Sequence, residues 1–361
     1  MLTRNRRARA PRVAIAAAIT ALALATAACS SSGGASSSTS TSTSTSTSSP
    51  GKPASTTDVS FTLNYLPGAI GAGFVMAKEL GYYADAGLNV TIQPGTGSIN
   101  TATQVASGQS PLGYSDAPSV FGVINGGAAL DIVSPIFQRN VFVVISKKGA
   151  NITSVKDLAG KKVGVQPGTA LATLLNAVLQ ANGVDPSSIS PVNVEPSALV
   201  GALLNGTVDA ILGGADAQPP LLRAQGVDIN ELYYYKNGVP TIGFTIIANP
   251  DYAKQHPDVV KAFVDASLRG WAAARDDTQA AAAAVKKEFP EAADPAVLKD
   301  GLTSVAPLLC APGAPSLGVL PEGDWADTTK LLVQYNGLSS SFDPTPSILT
   351  DQFAPASPPA C

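Results

Sequence analysis

The sequence predicts an α/β fold built from two similar halves, each with the order strand, helix, strand, helix, strand. Short apolar strands alternate with helical segments from about residue 58, and the same order returns from residue 161. The third strand of each half also precedes a short polar segment that contains an aspartate, Asp116 in the first half and Asp216 in the second. Alternating strands and helices of this length favour mostly parallel sheets, whose carboxyl ends meet at one edge.

The first half is defined by apolar residues that alternate in the strands and recur with helical spacing between them. Gly87 and Gly108 mark the ends of its two helices. The predicted elements are a strand at 61–65, a helix at 74–84, a strand at 89–93, a helix at 98–106 and a strand at 111–115.

The second half repeats this pattern. Thr169 is placed to cap its first helix and Gly183 to end it. The predicted elements are a strand at 162–166, a helix at 170–182, a strand at 191–195, a helix at 197–205 and a strand at 208–213.

Long helices follow the second half. Apolar residues over 257–275 recur with helical spacing and give one buried stripe, so Trp271 is expected in the core. An alanine-rich helix then continues to Glu288. Residues 338–361 lose this periodicity and gain Pro and Ser, which predicts a C-terminal tail.

The N-terminus is typical of an exported protein. Residues 1–12 are basic and 13–28 form an apolar run that ends before Cys29, which predicts a signal peptide over 1–28. The residues before Cys29 resemble a bacterial lipoprotein box, which implies lipidation of Cys29 and anchoring to the cell membrane outside the cytoplasm. The alternative is an ordinary secretory signal with a stray cysteine. Residues 29–57 are predicted to form a disordered tether, because 20 of the 28 residues from 30 to 57 are Ser or Thr.

Charge and composition exclude several function classes. The net charge is −3, but five of the 23 basic residues lie in the predicted signal peptide, which leaves 18 bases against 26 acids. An acidic surface argues against binding to nucleic acid or anionic lipid. His256, the single histidine, offers neither a His-rich metal site nor an obvious catalytic base, so we expect no metal, no cofactor and no enzymatic activity.

The two remaining cysteines, Cys310 and Cys361, are expected to form a disulfide in an exported chain whose first cysteine is lipidated. Such a bond would fasten the tail. Two free thiols are the alternative.

Several segments resemble, in order, the nitrate, sulfonate and thiamine-pyrimidine binding proteins of ABC importers. The resemblance covers about 58–337. It is carried by residues 78–83 with 86–90, 106–108, 157–164 and 204–210.

This resemblance implies a type II periplasmic-binding-protein fold, with two lobes joined by two crossing strands near 142–147 and 241–247. Lobe I would comprise 58–141 and 247–337, and lobe II 142–246. A ligand that touches both lobes favours the closed form, which an ABC permease would then recognise. The protein would act as a monomer that binds a small molecule.

Side chains that follow strands or begin helices at the shared edge are the candidates for ligand contact. For the threonines, serines and aspartates among them, helix capping is the alternative role. The candidates are Asn64, Tyr65, Thr96, Ser98, Ser115, Asp116, Gln138, Thr169, Glu195, Asp216 and Gln218.

The charges among these candidates favour a ligand with amino groups. Three are acids, and Arg139 is the one base nearby. An aminopyrimidine or another nitrogen heterocycle would donate to the carboxylates and stack on Tyr65. A sulfonate or nitrate ligand is the second interpretation, since it would meet those carboxylates. A sensing module of a membrane receptor and a pyrimidine-synthesising enzyme of the same fold are further alternatives, the latter requiring a reactive His or Cys in the cleft.

Overall fold

A computed structural model describes residues 56–167 and 169–361. The predicted signal peptide, Cys29 and nearly all of the predicted tether lie outside these residues. Within them, no helix combines the length and the apolar character needed to cross a membrane.

The first of two five-stranded sheets runs in the order β2-β1-β3-β10-β4. Its first three strands are mutually parallel, whereas β10 is antiparallel to both of its neighbours. We name this sheet and the helices packed on it lobe I. Its strands are β1 (Thr57–Thr62), β2 (Leu88–Gln93), β3 (Leu112–Asp116), β4 (Asp131–Pro135) and β10 (Phe244–Ala248).

The second sheet has the equivalent order, β7-β6-β8-β5-β9, and forms lobe II. Here β5 is the antiparallel strand between β8 and β9. Its strands are β5 (Phe142–Lys147), β6 (Lys162–Val165), β7 (Ser190–Asn193), β8 (Ala210–Gly214) and β9 (Ile229–Tyr233).

The antiparallel strand of each sheet therefore follows a strand of the other sheet in the sequence. Strand β5 follows β4 of lobe I and joins lobe II, and β10 follows β9 of lobe II and joins lobe I. The chain crosses between the lobes twice, at 136–141 and at 239–243. These crossings are hydrogen bonded to each other, with the Asn140 N–H donating to the Thr241 oxygen at 2.9 Å and the Gly243 N–H to the Phe137 oxygen at 2.9 Å. The crossings were expected within 142–147 and 241–247, but those segments lie largely inside the sheets.

The helices cover both sheets. Helices α1 to α4 and α8 to α11 belong to lobe I, and α5 to α7 belong to lobe II. They are α1 (Ala72–Glu79), α2 (Tyr82–Asp85), α3 (Ser98–Ala106), α4 (Ala117–Asn125), α5 (Ala170–Ala181), α6 (Leu199–Leu204), α7 (Gln218–Ala224), α8 (Pro250–Gln255), α9 (Pro257–Asp276), α10 (Thr278–Glu288), α11 (Pro295–Val305), α12 (Asp324–Tyr335) and α13 (Thr350–Phe353).

Three expected elements differ in the structure. The helix predicted over 74–84 is broken at Gly81, whose φ of 78° lies in the left-handed region that glycine adopts without strain. Thr57, placed in the tether, begins β1. The three consecutive tyrosines 233–235 alternate as a strand would and so predict a strand, but β9 ends at Tyr233 because a 3-10 turn follows over Tyr234–Lys236.

The C-terminal tail packs on lobe I rather than lying loose. Ile348 pairs with Ile132 of the edge strand β4 in a parallel bridge, and Phe353 is buried. Cys310 and Cys361 form a disulfide. The tail therefore covers an edge strand that would otherwise present unpaired backbone groups.

The core of lobe I depends on the close crossing of α1 and α9. Trp271 of α9 is buried and makes edge-to-face contacts with Phe74 and Phe137. A Cβ atom on Gly73 would lie 2.1 Å from the Trp271 ring, and one on Gly270 would lie 2.2 Å from the Gly73 oxygen. Two glycines thus allow the helices to touch.

We expect Gly73→Ala to destabilise the protein by about 1–3 kcal/mol, because the added methyl group overlaps the Trp271 ring. Gly201→Ala is the matched control: it lies in α6 with no atom within 4 Å of its added Cβ, so helix propensity should stabilise it by about 0.5–1 kcal/mol. Urea unfolding followed by circular dichroism measures both values. A neutral Gly73→Ala variant would contradict the packing described.

Candidate functional site

The predicted site residues of lobe I lie together at the carboxyl edge of its sheet. The Gly97 N–H donates to the Asn64 oxygen at 2.8 Å, which joins the segment after β1 to the start of α3. The Ser115 hydroxyl donates to the Ser98 oxygen at 3.0 Å, which joins the end of β3 to the same helix. Tyr65 and Thr96 flank these contacts and are exposed.

Asp116 caps α4. Its carboxylate accepts hydrogen bonds from the Ser119 N–H and the Ser119 hydroxyl, both at 2.9 Å. Burial raises the pKa of Asp116, while hydrogen bonds from Ser98 and Ser119 act in the opposite direction. The capping role that the sequence left open for Asp116 is thus present, and Ser119 stands between the carboxylate and the cleft.

The predicted residues of lobe II are arranged less uniformly. Thr169 caps α5, since its hydroxyl oxygen accepts the Ala172 N–H at 3.3 Å. The Gln218 Oε1 accepts the Gly214 N–H at 3.0 Å and so holds the turn after β8. Glu195 is exposed beyond the edge strand β7.

Gln138 has a structural environment. It is fully buried, and its amide nitrogen donates to the Ser316 and Val319 oxygens at 2.8 and 3.1 Å. Its Oε1 accepts the Ala311 N–H at 2.9 Å. The expectation that Gln138 meets the ligand does not fit this geometry, because its amide holds the segment that follows Cys310.

A cavity of about 310 Å³ lies between the lobes. The first turns of three helices face it, α3 and α4 from lobe I and α5 from lobe II. Its lining residues are Ile99, Pro118, Ser119, Gly122, Val123, Thr169, Ala170, Thr173 and Asn336.

The sequence predicted only part of the lining of this cavity. Among the predicted residues Thr169 lines it, while Ser98 and Asp116 adjoin lining residues. The position of Ser119 near the cleft could have been predicted from the sequence, because a serine three residues after a capping aspartate lies in the first turn of the helix. No local sequence pattern predicts the position of Asn336, because only long-range packing brings the end of α12 to the cleft.

Asp216 lies where the two lobes touch. Gly301 of α11 packs so closely that an added Cβ would be 2.4 Å from the Asp216 backbone oxygen. Burial raises the pKa of Asp216 to about 6, and a hydrogen bond from its own N–H opposes this. Burial also raises the pKa of Tyr114 on β3, with the Asp216 charge as the second cause. The Asp216 carboxylate is therefore close to the phenol of lobe I.

Arg223 ties α7 of lobe II to α11 of lobe I. Its Nε and Nη2 atoms donate to the Asp300 carboxylate at 2.8 and 3.0 Å, and Nη2 also donates to the Ser304 hydroxyl at 3.0 Å. Glu231 pairs with the same guanidinium from within lobe II. These contacts join the two lobes on the side of α7 and α11.

No group of three or more His, Cys, Asp or Glu residues occurs within 56–167 and 169–361 in an arrangement suited to a metal ion. His256, the single histidine of the chain, is exposed and packs beside Tyr252, with ring centroids 4.8 Å apart. Neither a histidine nor a cysteine lines the cavity.

A family model described as NMT1/THI5 like matches residues 71–281, more than half of the chain. The chain belongs to the NMT1/THI5-like family. This confirms the family resemblance found in the sequence.

Two proteins similar to this chain carry names that describe them as binding proteins. The formylaminopyrimidine-binding protein of Halalkalibacterium halodurans is 26% identical over 215 residues, which cover 59% of this chain and 65% of that protein. The riboflavin-binding protein RibY of Chloroflexus aurantiacus is 27% identical over 235 residues, which cover 62% of this chain and 64% of that protein. The chain thus spans just under two thirds of the length of these relatives.

Solved structures agree on the architecture. The periplasmic aliphatic sulphonate binding protein SsuA from Escherichia coli superposes with a TM-score of 0.66 at 18% identity, covering 82% of this chain and 98% of that one. This likeness confirms the type II periplasmic-binding-protein fold.

We expect Asp216 to make stability depend on pH. Because its folded pKa of about 6 exceeds the ordinary value of 3.8, the folded state binds the proton more tightly. The stabilisation from this proton is complete below about pH 4 and is lost as pH rises through 6, a change on the order of 2 kcal/mol. Urea unfolding between pH 4 and 7 should show a smaller fall in Asp216→Asn than in the wild type, since burial also raises the pKa of Asp116 and Asp131, which the variant keeps.

Asp157→Asn is a control for a carboxyl group whose pKa is shifted in the opposite direction. Asp157 is half-buried, and hydrogen bonds from the Thr153 and Ser154 backbone lower its pKa, so its stabilising contribution is lost as pH falls. Parallel stability curves for the wild type and Asp216→Asn across pH 4 to 6 would contradict the raised pKa of Asp216.

Proposed function

We propose that the chain is the solute-binding protein of an ABC importer and captures a small nitrogen heterocycle in the cavity between its lobes. An aminopyrimidine of the thiamine-precursor type is the best candidate. Family membership, the two-lobed fold and a relative that binds formylaminopyrimidine support this proposal.

The observation that carries the ligand class is the direction of the hydrogen bonds around the cavity. The Ser119 hydroxyl donates to Asp116 at 2.9 Å, and the Thr169 hydroxyl donates to the Gln166 oxygen at 2.8 Å. The Thr173 hydroxyl donates to the Thr169 oxygen at 3.1 Å. Each hydroxyl has one proton, so what remains for a ligand is lone pairs.

A ligand that fits these groups must donate hydrogen bonds. Amino groups on a heterocycle do so, whereas a sulfonate or nitrate presents only acceptors. The lining contains no Lys or Arg that would pair with an anion. Both guanidinium groups nearest the cleft are engaged, Arg139 with Asp324 at 2.6 Å and Arg223 with Asp300.

Cavity size and apolar surface favour a flat ring. A volume of about 310 Å³ lies at the lower end of the range for small-molecule sites, about 300–1,000 Å³. Ile99, Pro118 and Val123 supply apolar contacts for ring faces. Tyr65 is 42% exposed at the same edge of lobe I, where its ring is accessible for stacking.

Binding and release require no covalent step. Hinge rotation would open the cleft, and a ligand that touches both lobes would stabilise the closed form held by Arg223. We propose that a permease recognises this closed form, and that the protein acts as a monomer anchored outside the cytoplasm through lipidated Cys29. The two relatives whose names describe binding proteins support a non-enzymatic role.

An alkanesulfonate or nitrate ligand is the second candidate, and one observation favours it. No side chain caps the N-terminus of α3, which starts after Gly97 and carries Ile99 into the cavity. Free backbone N–H groups at a helix N-terminus attract anions. Against this, the buried acid Asp116 adjoins the same helix, where its backbone N–H donates to the Ser98 hydroxyl at 3.5 Å.

A thermal-shift experiment separates the candidates. We expect 4-amino-5-hydroxymethyl-2-methylpyrimidine or its formylamino derivative to raise the melting temperature, because a ligand at 100 times its Kd stabilises by about 2.7 kcal/mol. Taurine, alkanesulfonates and nitrate should leave it unchanged, and riboflavin tests the larger heterocycle. A shift with sulfonates alone would overturn the ligand class, and intact pyrimidine uptake after deletion would overturn the importer role.

A further inference from the structure

We propose that Gly122 of α4 is a specificity-determining position, at which the ring of the ligand packs directly against the helix backbone. A side chain at this position would occupy the place of the ring. This inference rests on the proposed function and deepens it, because it names the part of the cavity wall that receives the face of the heterocycle.

Gly122 lies inside a helix, where glycine is unfavourable. Glycine weakens a helix relative to alanine, because its backbone loses more conformational freedom on folding. The α4 helix runs over Ala117–Asn125, and Gly122 is not among the glycines of positive φ. The helix itself therefore gives no reason for a glycine at this position.

Packing against the rest of the protein gives no reason either. Added Cβ atoms at the helix glycines Gly73, Gly270 and Gly301 would lie 2.1, 2.2 and 2.4 Å from atoms of neighbouring segments. At Gly122, apart from the backbone of its own helix, no atom of the described residues lies within 4 Å of an added Cβ. A side chain could therefore be built at Gly122 without a clash with the protein.

Gly122 faces the cavity between the lobes. The cavity-lining residues of α4 share one face of the helix, because they are spaced by three and four residues. They are Pro118, Ser119, Gly122 and Val123. Gly122 is exposed on this face. A Cβ atom at Gly122 would therefore point into the space that the proposed ligand occupies.

The surroundings of Gly122 fit the face of a ring. Its carbonyl oxygen accepts the Gly126 N–H at 3.0 Å, so a contact here is apolar. Ile99 of α3, another lining residue, is 44% exposed and would be covered by a ligand. One turn before Gly122, the Ser119 hydroxyl oxygen is available to an amino group at the ring edge. Carbon atoms pack at about 3.5–4.0 Å, a distance from the backbone that a side chain would prevent.

Isothermal titration with 4-amino-5-hydroxymethyl-2-methylpyrimidine and melting curves without ligand test the inference together. Gly122→Ala should raise the melting temperature, since alanine favours the helix and its methyl group clashes with nothing in the protein. The same variant should bind the pyrimidine about 10- to 100-fold more weakly, because the methyl group overpacks the ligand site. Gly122→Leu, which also favours the helix, should bind it more weakly still.

Gly201→Ala and Gly201→Leu are the matched controls. Gly201 is an exposed glycine of α6, and an added Cβ there likewise has no atom within 4 Å, but it lies outside the cavity lining. Gly201→Ala should raise the melting temperature as Gly122→Ala does, and both control variants should bind the pyrimidine as the wild type does. A purely structural role for Gly122 would not combine a gain in stability with a loss of affinity.

Three outcomes would overturn the inference, and they differ in what else they affect. If the wild type binds the pyrimidine and both Gly122 variants bind it equally well, the ring does not pack on Gly122 and the proposed function stands. If Gly122→Ala lowers the melting temperature, the fold itself requires the glycine. If the wild type binds no aminopyrimidine, the proposed ligand class fails together with the role of Gly122.

Discussion

The pairing of the two interlobe crossings is the constraint on which the rest of the structure depends. Asn140 is fully buried there, and its amide nitrogen donates to the Val239 oxygen at 2.7 Å and the Thr241 hydroxyl at 3.0 Å. Because β5 and β10 each complete the sheet of the other half, the crossings lie side by side. This geometry turns the carboxyl edges of both sheets towards one cleft, and the proposed function requires the crossings to act as its hinge.

The chemistry of the cleft follows from how its helices begin. Asp116 caps α4 and also accepts the Ser119 hydroxyl proton, while Thr169 caps α5 with its oxygen and donates its own proton to the Gln166 oxygen. The same contacts that stabilise the helices therefore leave acceptors in the cavity. Local helix stability and ligand selectivity are linked here through a few shared hydrogen bonds, with the uncapped α3 as the exception.

Local sequence patterns predicted the structural features that depend on residues close together in the sequence. The alternation of strands and helices, the duplicated order, the caps at Asp116 and Thr169 and the core position of Trp271 were all readable from the chain. Contacts between distant segments were not. Gln138 and the segment after Cys310 meet through tertiary packing, and nothing local to Asn336 indicates that α12 delivers it to the cleft. The break at Gly81 also escaped, because a glycine within a helical pattern is compatible with either outcome.

The most direct test of the account is a crystal structure of the protein grown with the aminopyrimidine. The account predicts the ring between the first turns of α3, α4 and α5, enclosed by both lobes, with its amino groups facing the hydroxyl oxygens of Ser119, Thr169 and Thr173. A ring bound outside this cavity, or lobes that remain apart around it, would contradict the central claim that the two lobes close on a hydrogen-bond-donating heterocycle.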